Sequence, residues 1–541
     1  MSRKPTKATA ASVTVKHATL NLLRAFGIKK VFGNPGSTEL PFLSDWPDDI
    51  DYVLGLQEAS VIGMADGYAQ ATRNAAFVNL HSAAGVGNAL GNIYTAHRNQ
   101  TPIVITAGQQ ARSLLPLQAF LQAERASEFP RPYVKFSVEP ARAEDVPAAI
   151  ARAYYVAMQP PCGPTFVSVP IDDWTHPAEP LQARDISREF GPDAGAMKIL
   201  AAALSASKRP ALVVGPGVDR AQAVDLMVRV AEKARAAVWV SPFSARCSFP
   251  ERHPQFAGFL HASPAQLSDA LRDHDLVVVI GAPVFTFHVE GRASIFDGAT
   301  TIFQITDDPD AASVSPFGTS IIATIKPALT VLLELLPETR RAMPAGRVLP
   351  PAPAAADPVP VEYLLHSLSS IMPADAMLVE EAPSHRLAMQ KFMPMRGQDS
   401  FSTMASGGLG FGLPASVGIA LAYPERRTVC LIGDGSAMYS IQALWTAAQR
   451  KLPLTVVVIN NAGYGAMRSF SQVMQVRNVP GLDLPGIDFV KMAQGLGCDA
   501  VRVGKASELA PALKRGMTHD GVSLIEVIVD SAVPLLYAQK S

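Results

Sequence analysis

The sequence predicts an α/β protein with three doubly wound parallel-sheet domains. Short runs of β-branched residues alternate with helical patterns along the 541 residues, as in parallel sheets that carry helices on both faces. The length exceeds that of one compact core, and a segment rich in Pro and Ala interrupts the pattern at residues 343–360. These observations favour successive α/β domains, with that segment as a linker before the last one.

The predicted strands follow the apolar runs in order. In the first domain, residues 1–185 with a tail over residues 1–14, they are 30–32, 50–54, 76–79, 103–106 and 165–169. In the second domain, residues 186–342, they are 211–214, 238–240, 276–280 and 301–305. In the third domain, residues 361–541, they are 376–380, 428–432, 454–459 and 523–529. Helical periodicity predicts helices over 20–26 and 361–370.

Composition favours an enzyme that acts on small molecules. Lys and Arg number 47, as do Asp and Glu, and no long basic tract is present. Nucleic acid and an acidic membrane surface are therefore not expected as partners, and no apolar run is long enough to predict a transmembrane helix. The cysteines lack disulfide-framework or metal-ligand spacing, which predicts reduced thiols in a cytoplasmic protein. They are Cys162, Cys247, Cys430 and Cys498.

The most informative stretch runs from Gly433 to Asn461. A predicted strand ends at the first of these residues, where Gly433 and Gly435 allow a tight turn and Ser436 opens a helical run, so that free amides face an anion. The next predicted strand delivers Asn461 to the same sheet edge as Asp434, where α/β proteins place ligands. One carboxylate and one amide beside a diphosphate suit Mg²⁺. The alternative is a glycine turn with surface asparagines.

Three further positions lie at or just after strand ends of the first domain: Ser37, Glu58 and His81. We expect them at one edge of the sheet. Taken singly, each has an ordinary structural interpretation, as a turn serine or helix cap, a solvated helix carboxylate and a hydrogen-bonded histidine. Their combination with the diphosphate motif favours catalysis.

Segments along nearly the whole chain together resemble the thiamine diphosphate-dependent 2-oxoacid decarboxylases, and within that family the benzoylformate decarboxylase branch. Their sequences are VFGNPGSTELPF, LQEASVIGMADGYAQ, NLHSAAGVGNALG, VVVIGAPVFTFHVEG, GGLGFGLPA, GDGSAMYSIQALWTAAQ and VPGLDLPGIDF. The resemblance implies a pyrimidine-binding, a central and a diphosphate-binding domain, with thiamine diphosphate and Mg²⁺ as cofactors. The adjacent His-His pair of the pyruvate decarboxylase branch is absent from the sequence, which favours the former branch.

The resemblance also implies roles for individual residues. Glu58 would exchange a proton with N1′ of the cofactor's aminopyrimidine, which a buried carboxylic acid does well. Ser37 would contact the substrate carboxylate, while His81 and His288 would transfer protons. The implied cofactor-binding residues are Gly407, Leu409, Gly435, Ser436, Tyr464 and Ser384, and the metal ligands are Asp434, Asn461 and the Gly463 carbonyl. The implied substrate-pocket residues are Phe120, Leu121, Thr403 and Phe470.

The implied reaction is non-oxidative decarboxylation of an aromatic or bulky 2-oxoacid, resembling benzoylformate, to the aldehyde and CO2 through a thiamine diphosphate enamine. A carboligase of the acetolactate synthase type stays open, because it would share every cofactor residue. A non-catalytic relative would have lost Glu58 or the metal ligands, and none is lost. The pocket departs from the branch at four positions, which are Ala382, Pro383, Thr403 and Ser469. The resemblance further implies a homodimer as the minimal active unit, paired into a homotetramer.

Two glycine-rich segments could be interpreted as nucleotide-binding sites. The sequence does not favour a nucleotide site at either segment. The turn at residues 214–218 follows a predicted strand of the central domain; it is interpreted as a structural loop, so no flavin is expected. The glycines of residues 407–412 lack the G-x-G-x-x-G spacing of a Rossmann fingerprint.

Overall fold

Three six-stranded sheets form the framework of the protein. The computed structural model describes residues 12–292, 298 and 300–536. The chain forms two compact units, Met1–Ser187 and Arg188–Ser541, of which the first contains one six-stranded sheet and the second contains two. All neighbouring strands within these three sheets are parallel. The predicted α/β class with three parallel-sheet domains is confirmed.

The first unit contains eight strands and five helices among its described residues. The strands are β1 (Val13–Thr14), β2 (Lys30–Gly33), β3 (Asp51–Leu54), β4 (Ala76–Leu80), β5 (Ile103–Gln109), β6 (Ser137–Val138), β7 (Pro164–Pro170) and β8 (Pro177–Ala178). The helices are α1 (Val15–Ala25), α2 (Leu40–Leu43), α3 (Glu58–Thr72), α4 (Ser82–Asn99) and α5 (Val146–Met158). The sheet order is β3-β2-β4-β5-β7-β6.

The predicted tail over residues 1–14 is wrong at its last two positions. Val13 and Thr14 form β1, which pairs antiparallel with β8, and the amide of Val15 donates to the carbonyl of His176 at 2.9 Å. This pairing gives the segment backbone partners that a free tail would lack. Residues 1–11 lie outside the described residues.

The central part of the second unit is a sheet of order β11-β10-β9-β12-β13-β14. Its strands are β9 (Pro210–Val214), β10 (Ala237–Val240), β11 (Phe256–Phe259), β12 (Leu276–Ile280), β13 (Thr301–Thr306) and β14 (Thr319–Ile322). Its helices are α6 (Ala194–Ala206), α7 (Pro216–Arg220), α8 (Val224–Ala234), α9 (Pro264–Leu271), α10 (Pro309–Ser313) and α11 (Ile325–Leu335).

The last sheet has the order β16-β15-β17-β18-β20-β19. Its strands are β15 (Met377–Glu381), β16 (Phe401–Thr403), β17 (Thr428–Gly433), β18 (Leu454–Asn460), β19 (Asp499–Val503) and β20 (Val522–Ile528). The helices are α12 (Val361–Ile371), α13 (Arg386–Phe392), α14 (Gly412–Ala422), α15 (Asp434–Ala437), α16 (Ala443–Gln449), α17 (Gly465–Val473), α18 (Phe489–Gly495) and α19 (Ala506–Thr518).

The interior strands are buried along almost their whole length, because helices flank both faces of each sheet. β4, β5, β7, β9 and β12 contain only buried residues. β17 and β18 are buried up to their last residue. Each of these strands therefore approaches solvent only at its ends. The polar residues that follow a strand lie at such an end.

The glycine turn of the central domain is used for close packing. The amides of Gly215 and Gly217 donate to the carbonyls of Ile280 and Gly281 at 2.9 and 3.0 Å. A Cβ on Gly217 would lie 2.7 Å from the Cα of Gly281. Close packing of the backbone therefore explains the glycines of this turn.

The described cysteines and helices agree with the compositional expectations. All four cysteines are free thiols, and Cys247, Cys430 and Cys498 are buried. Across the part of the chain that the structure describes, no helix combines the length and the apolar character that crossing a membrane requires.

Candidate active site

The structure brings the three predicted residues of the first unit to one sheet edge. Ser37 follows β2, Glu58 begins α3 after β3, and His81 directly follows β4; these three strands are neighbours in the sheet. A Cβ placed on Gly85 would lie 3.5 Å from both the Glu58 Cγ and the His81 Cβ. A Cβ on Gly36, next to Ser37, would clash with the His81 ring.

Glu58 is buried, as expected, with 8% of its surface exposed. Asn34 Nδ2 donates to its Oε1 at 3.2 Å, and Asn88 Nδ2 donates to its Oε2 at 3.1 Å. The two amides hold the carboxyl group in one orientation at the start of the helix. Sequence reasoning missed both asparagines, although Asn34 lies in the same glycine-rich loop as Ser37.

A second acid of this edge, Glu39, was also missed. Its side chain is completely buried, and its Oε2 lies 2.9 Å from Nδ1 of His81. The only sequence signal is its position in the loop NPGSTE, where a solvated carboxylate would be the ordinary interpretation. The first unit therefore presents a serine, a histidine and two buried carboxyl groups together.

Asp434 organises the predicted metal site in the second unit. Its Oδ1 accepts the Gly435 amide at 2.7 Å and its Oδ2 accepts the Gly463 amide at 3.0 Å. A carboxylate offers about four acceptor positions, so each oxygen keeps capacity for a cation. Burial raises the pKa of Asp434, and a bound cation would offset that cost by stabilising the charged form.

The remaining donors at this edge fit a metal with a diphosphate. Asn461 is buried, and among the described residues its side-chain nitrogen has no hydrogen-bond partner. A Cβ on Gly465 would lie 2.6 Å from that nitrogen and 2.9 Å from Ser384 Oγ. A Cβ on Gly435 would lie 2.5 Å from the Tyr464 ring. Glycine at these two positions therefore lets Asn461, Ser384 and Tyr464 approach the backbone more closely than a side chain would allow.

The predicted helix after Gly433 is corrected in its bounds. It begins at Asp434 rather than Ser436, ends at Ala437, and resumes only as α16 at Ala443. Between the two helices the amides of Tyr439 and Ser440 bond to carbonyls three residues earlier, at 3.2 and 3.3 Å. These tighter turns replace α-helical bonds there.

The glycine-rich loop that contains Gly407 and Leu409 is held by a buried acid, Glu381. Its carboxylate accepts the amides of Gly410 at 2.7 Å and Phe411 at 2.8 Å, together with that of Gly412. These amides begin α14, whose first N–H groups lack helical partners. Glu381 therefore fixes the loop against the end of β15, and sequence reasoning missed it.

His288 lies among aromatic rings of the second unit. Its ring centroid is 5.1 Å from that of Phe470, a predicted pocket residue, and 5.9 Å from that of Phe243. The central sheet's loop and α17 thereby bring together two residues that the sequence separates by 182 positions (470 − 288). The cluster offers an apolar surface beside a titratable ring.

The other predicted pocket residues are placed differently. Phe120 is 98% exposed, while the carbonyl of Leu121 accepts the Ser82 hydroxyl at 2.6 Å. Thr403 is fully buried, and its hydroxyl donates to the Glu380 carbonyl at 2.8 Å while accepting from Arg386 at 2.5 Å. Within the chain, this hydroxyl is therefore hydrogen-bonded to Glu380 and Arg386, which form an ion pair.

Comparison with known proteins gives a consistent result. Residues 13–128 match the N-terminal TPP binding domain of thiamine pyrophosphate enzymes, residues 197–332 their central domain, and residues 382–527 their C-terminal TPP binding domain. Over 526 residues the chain is 43% identical to benzoylformate decarboxylase of Pseudomonas aeruginosa, covering 96% of this chain and 100% of the relative. Acetolactate synthases are more distant, at 26% identity for the isozyme 3 large subunit of Escherichia coli (strain K12), over 94% of this chain and 93% of that protein.

Two solved structures are also similar. The first is benzoylformate decarboxylase from Polynucleobacter necessarius, with a TM-score of 0.94, 41% identity and coverage of 96% of this chain and 99% of that one. The second is the 4-hydroxybenzoylformate decarboxylase of Rhodococcus jostii RHA1, with a TM-score of 0.93, 42% identity and the same coverage.

Glu381 should make stability depend on pH. Burial raises its pKa to about 7, from an ordinary value of 4.5, although three backbone amides oppose the shift. The folded state then binds the proton more tightly than the unfolded state, so this stabilisation is present below pH 4.5 and is lost as the pH rises through 7. We expect Glu381→Gln, which cannot ionise, to gain roughly 2 kcal/mol relative to wild type between pH 5 and 7.

Thermal midpoints of both proteins across that range measure the effect. Glu425→Gln, a change of an exposed carboxylate, is the control and should follow wild type. Parallel curves for wild type and Glu381→Gln would contradict the expected titration.

Proposed function

Because this chain belongs to the thiamine pyrophosphate enzyme family, we propose that it decarboxylates an aromatic or similarly bulky 2-oxoacid, without oxidation, to the aldehyde and CO2. The observation that carries the proposal is the cluster of Ser37, buried Glu58 and His81 at one sheet edge. It provides a carboxylate contact, an acid for the cofactor and a proton donor. Its relatives among the benzoylformate decarboxylases support this substrate class.

The chain's residues manage protons around the cofactor. When bound, thiamine diphosphate supplies the electron sink for the carbon–carbon bond that breaks. Glu58, held by Asn34 and Asn88, exchanges a proton with the aminopyrimidine N1′. Ser37 holds the substrate carboxylate. His81 then delivers a proton to the carbon that has lost CO2, and His288 completes the proton transfer.

The second unit binds the diphosphate through a metal. We assign Mg²⁺ to the Asp434 and Asn461 side chains and the Gly463 carbonyl, because few protein ligands plus phosphate oxygens and water suit this ion. The diphosphate contacts would be Gly435, Ser436, Ser384 and Tyr464. The glycine-rich loop would contribute the Gly407 carbonyl to the pyrimidine amine and Leu409 as apolar support for the cofactor.

An aromatic substrate fits the apolar surface of the second unit. Phe470 packs against His288, and an aromatic ring of the substrate would bury against it where a methyl group leaves the surface wet. Phe120, Leu121 and Thr403 remain proposed pocket residues. Carboligation is the second candidate. The branch carries a hydroxyl residue at the position of Ala382 and a bulkier residue at the position of Ser469, so the smaller side chains here leave room for a second carbonyl compound.

We further propose that the enzyme is a cytoplasmic homodimer that pairs into a tetramer. The free thiols support a reducing compartment. The family resemblance supports a site to which one chain supplies Glu58 and a second chain supplies Asp434, which a closed two-fold pairing would build twice.

Removal of the metal should abolish activity. Exhaustive chelation should stop turnover, and added Mg²⁺ with thiamine diphosphate should restore it. Asp434→Asn should raise the Mg²⁺ concentration needed for half-maximal cofactor binding by roughly 10- to 100-fold, measured by calorimetric titration. Asp520→Asn, at an exposed position, is the matched control. Full turnover of stripped protein, with no cofactor detected by mass spectrometry, would refute the site.

The substrate class is tested with a panel of 2-oxoacids, with and without added aldehyde. Benzoylformate should give benzaldehyde with a higher kcat/KM than pyruvate gives acetaldehyde, because its ring buries more apolar surface. Glu58→Gln should lose on the order of 10²–10⁴-fold in turnover while still binding cofactor. A preference for pyruvate, or acyloins as the main product at low aldehyde, would favour carboligation instead.

The shared site is tested by co-expression. Glu58→Gln and Asp434→Ala should each be inactive alone, whereas a mixture of the two chains should recover activity, because each heterodimer contains one site with neither change. Differently tagged chains allow the heterodimer to be purified and assayed. Absence of recovery in that purified species would show that each site is built within one chain.

A further inference from the structure

A buried hydrogen-bond cluster surrounds one nitrogen of His81. Glu39 lies at its centre with 1% of its surface exposed. Its Oε2 accepts the Gly36 amide at 2.8 Å and faces His81 Nδ1 at 2.9 Å. Its Oε1 accepts the Thr38 hydroxyl at 2.5 Å and the Gly108 amide at 3.1 Å. All four acceptor positions of the carboxylate are therefore used by donors, so none is left for a proton of its own.

The cluster determines which nitrogen of His81 carries a proton. An O–O distance of 2.5 Å between Thr38 and Glu39 requires a proton between them, and the ionised carboxylate has none to give. The threonine hydroxyl therefore donates there, and its oxygen can only accept from His81 Nδ1, 3.0 Å away. Both atoms that face Nδ1 are acceptors, so Nδ1 carries a proton in either charge state of the ring.

The backbone is built for this close approach. A Cβ on Gly108 would clash with Glu39 Oε1 and Thr38 Oγ1, and a Cβ on Gly36 would clash with His81 Nδ1. Only glycine lets both amides reach the carboxylate. The His81 side chain keeps 21% of its surface exposed, so the ring is clamped on one side without being enclosed.

Two other titratable groups lie close to the cluster. Burial and the neighbouring Glu39 carboxylate raise the pKa of Tyr52, so its hydroxyl stays neutral. Glu58 approaches His81 across Gly85, and its own oxygens are engaged by two asparagines. Neither supplies a second charge to Nδ1, and Glu39 is the carboxylate that bonds to it.

We propose that Glu39 is a positioning residue, which fixes the Nδ1 proton of His81 and makes Nε2 the nitrogen that exchanges protons with the substrate. The inference rests on the proposed function, since it gives His81 its role there. The carboxylate thereby holds the ring in one orientation and one tautomer, as a carboxylate does for a catalytic histidine in other active sites. Without Glu39, the neutral ring could carry its proton on Nε2 instead, and Nε2 could then no longer accept one.

A double-mutant cycle tests the role in the holoenzyme. Glu39→Gln should lower kcat/KM, because the amide can present a donor to Nδ1. The expected loss is on the order of 10- to 100-fold, less than the full contribution of an acid–base group. In a His81→Ala background the same change should have little effect, since its target is gone. Equal losses in both backgrounds would show a purely structural role and overturn the proposal.

Further variants keep the test decisive if Glu39→Gln folds poorly. Glu39→Asp, which retains the charge, should recover part of the activity. Thr38→Val, which removes only the hydroxyl, should cost less than Glu39→Gln. Glu139→Gln is the matched control: this hydrogen-bonded carboxylate of the same unit accepts from Ser168 and should leave activity unchanged. A Glu39→Asp enzyme no better than Glu39→Gln would contradict a role for the charge.

A readout without substrate separates this inference from the proposed function. Nitrogen-15 NMR of histidine-labelled enzyme distinguishes the two tautomers of His81, with His81→Ala to assign its signal. Wild type should show the tautomer that is protonated at Nδ1, and Glu39→Gln should show the other tautomer or a mixture, because the amide can present a donor to Nδ1. If benzoylformate is not a substrate but the tautomer changes in this way, the proposed function fails and the positioning role stands. The same tautomer in both enzymes overturns the positioning role.

Discussion

Backbone amides at the ends of buried parallel strands need acceptors, and this constraint shapes the candidate functional edge of each unit. A buried N–H without a partner is costly. Glu39, Glu381 and Asp434 each accept at least two backbone amides. Each carboxyl group thereby fixes a loop at the edge of a sheet where α/β proteins bind ligands.

The number of donors around each acid decides what else it can do. Glu39 has four donors and no free acceptor position, so it can act only through the histidine that it holds. Asp434 accepts two amides and keeps one position on each oxygen for a cation. Glu58 accepts two side-chain amides and no backbone amide, so a proton on its carboxyl group disturbs no loop. Similar side chains thus fit three different proposed roles: positioning, metal binding and proton exchange.

The interior of the fold could be predicted because burial on both faces requires continuous apolar runs. The strands missed in the three large sheets were short ones at the sheet edges: β6, β11, β14, β16 and β19. The two-residue strands β1 and β8 of the small antiparallel sheet were missed as well. Edge strands mix buried and exposed positions or contain only two or three residues, so periodicity hardly distinguishes them from loops. The break between α15 and α16 was missed because turns with i to i−3 bonds keep nearly helical spacing of apolar residues.

The site residues also divide into those that the sequence predicted and those that it did not. Ser37, Glu58 and His81 could be placed because each follows a predicted strand. Glu39 and Glu381 could not, because a buried acid and a solvated one are the same letter in a sequence, and only the amides around it tell them apart. The association of His288 with Phe470 depends on packing between the central and last sheets of the second unit, which no local pattern encodes.

The burial of three of the four thiols affects which side chains are oxidised during storage. Burial raises the pKa of Cys498 to about 12 and those of Cys247 and Cys430 further, so hardly any reactive thiolate forms at neutral pH. Oxidants would therefore attack exposed thioethers before these three buried thiols, and Met467 and Met474 are exposed at α17, the helix that contains the proposed pocket residue Phe470. Sulfoxide formation there would degrade substrate selectivity before it degrades the fold, so a stored preparation could lose its preference while still appearing native.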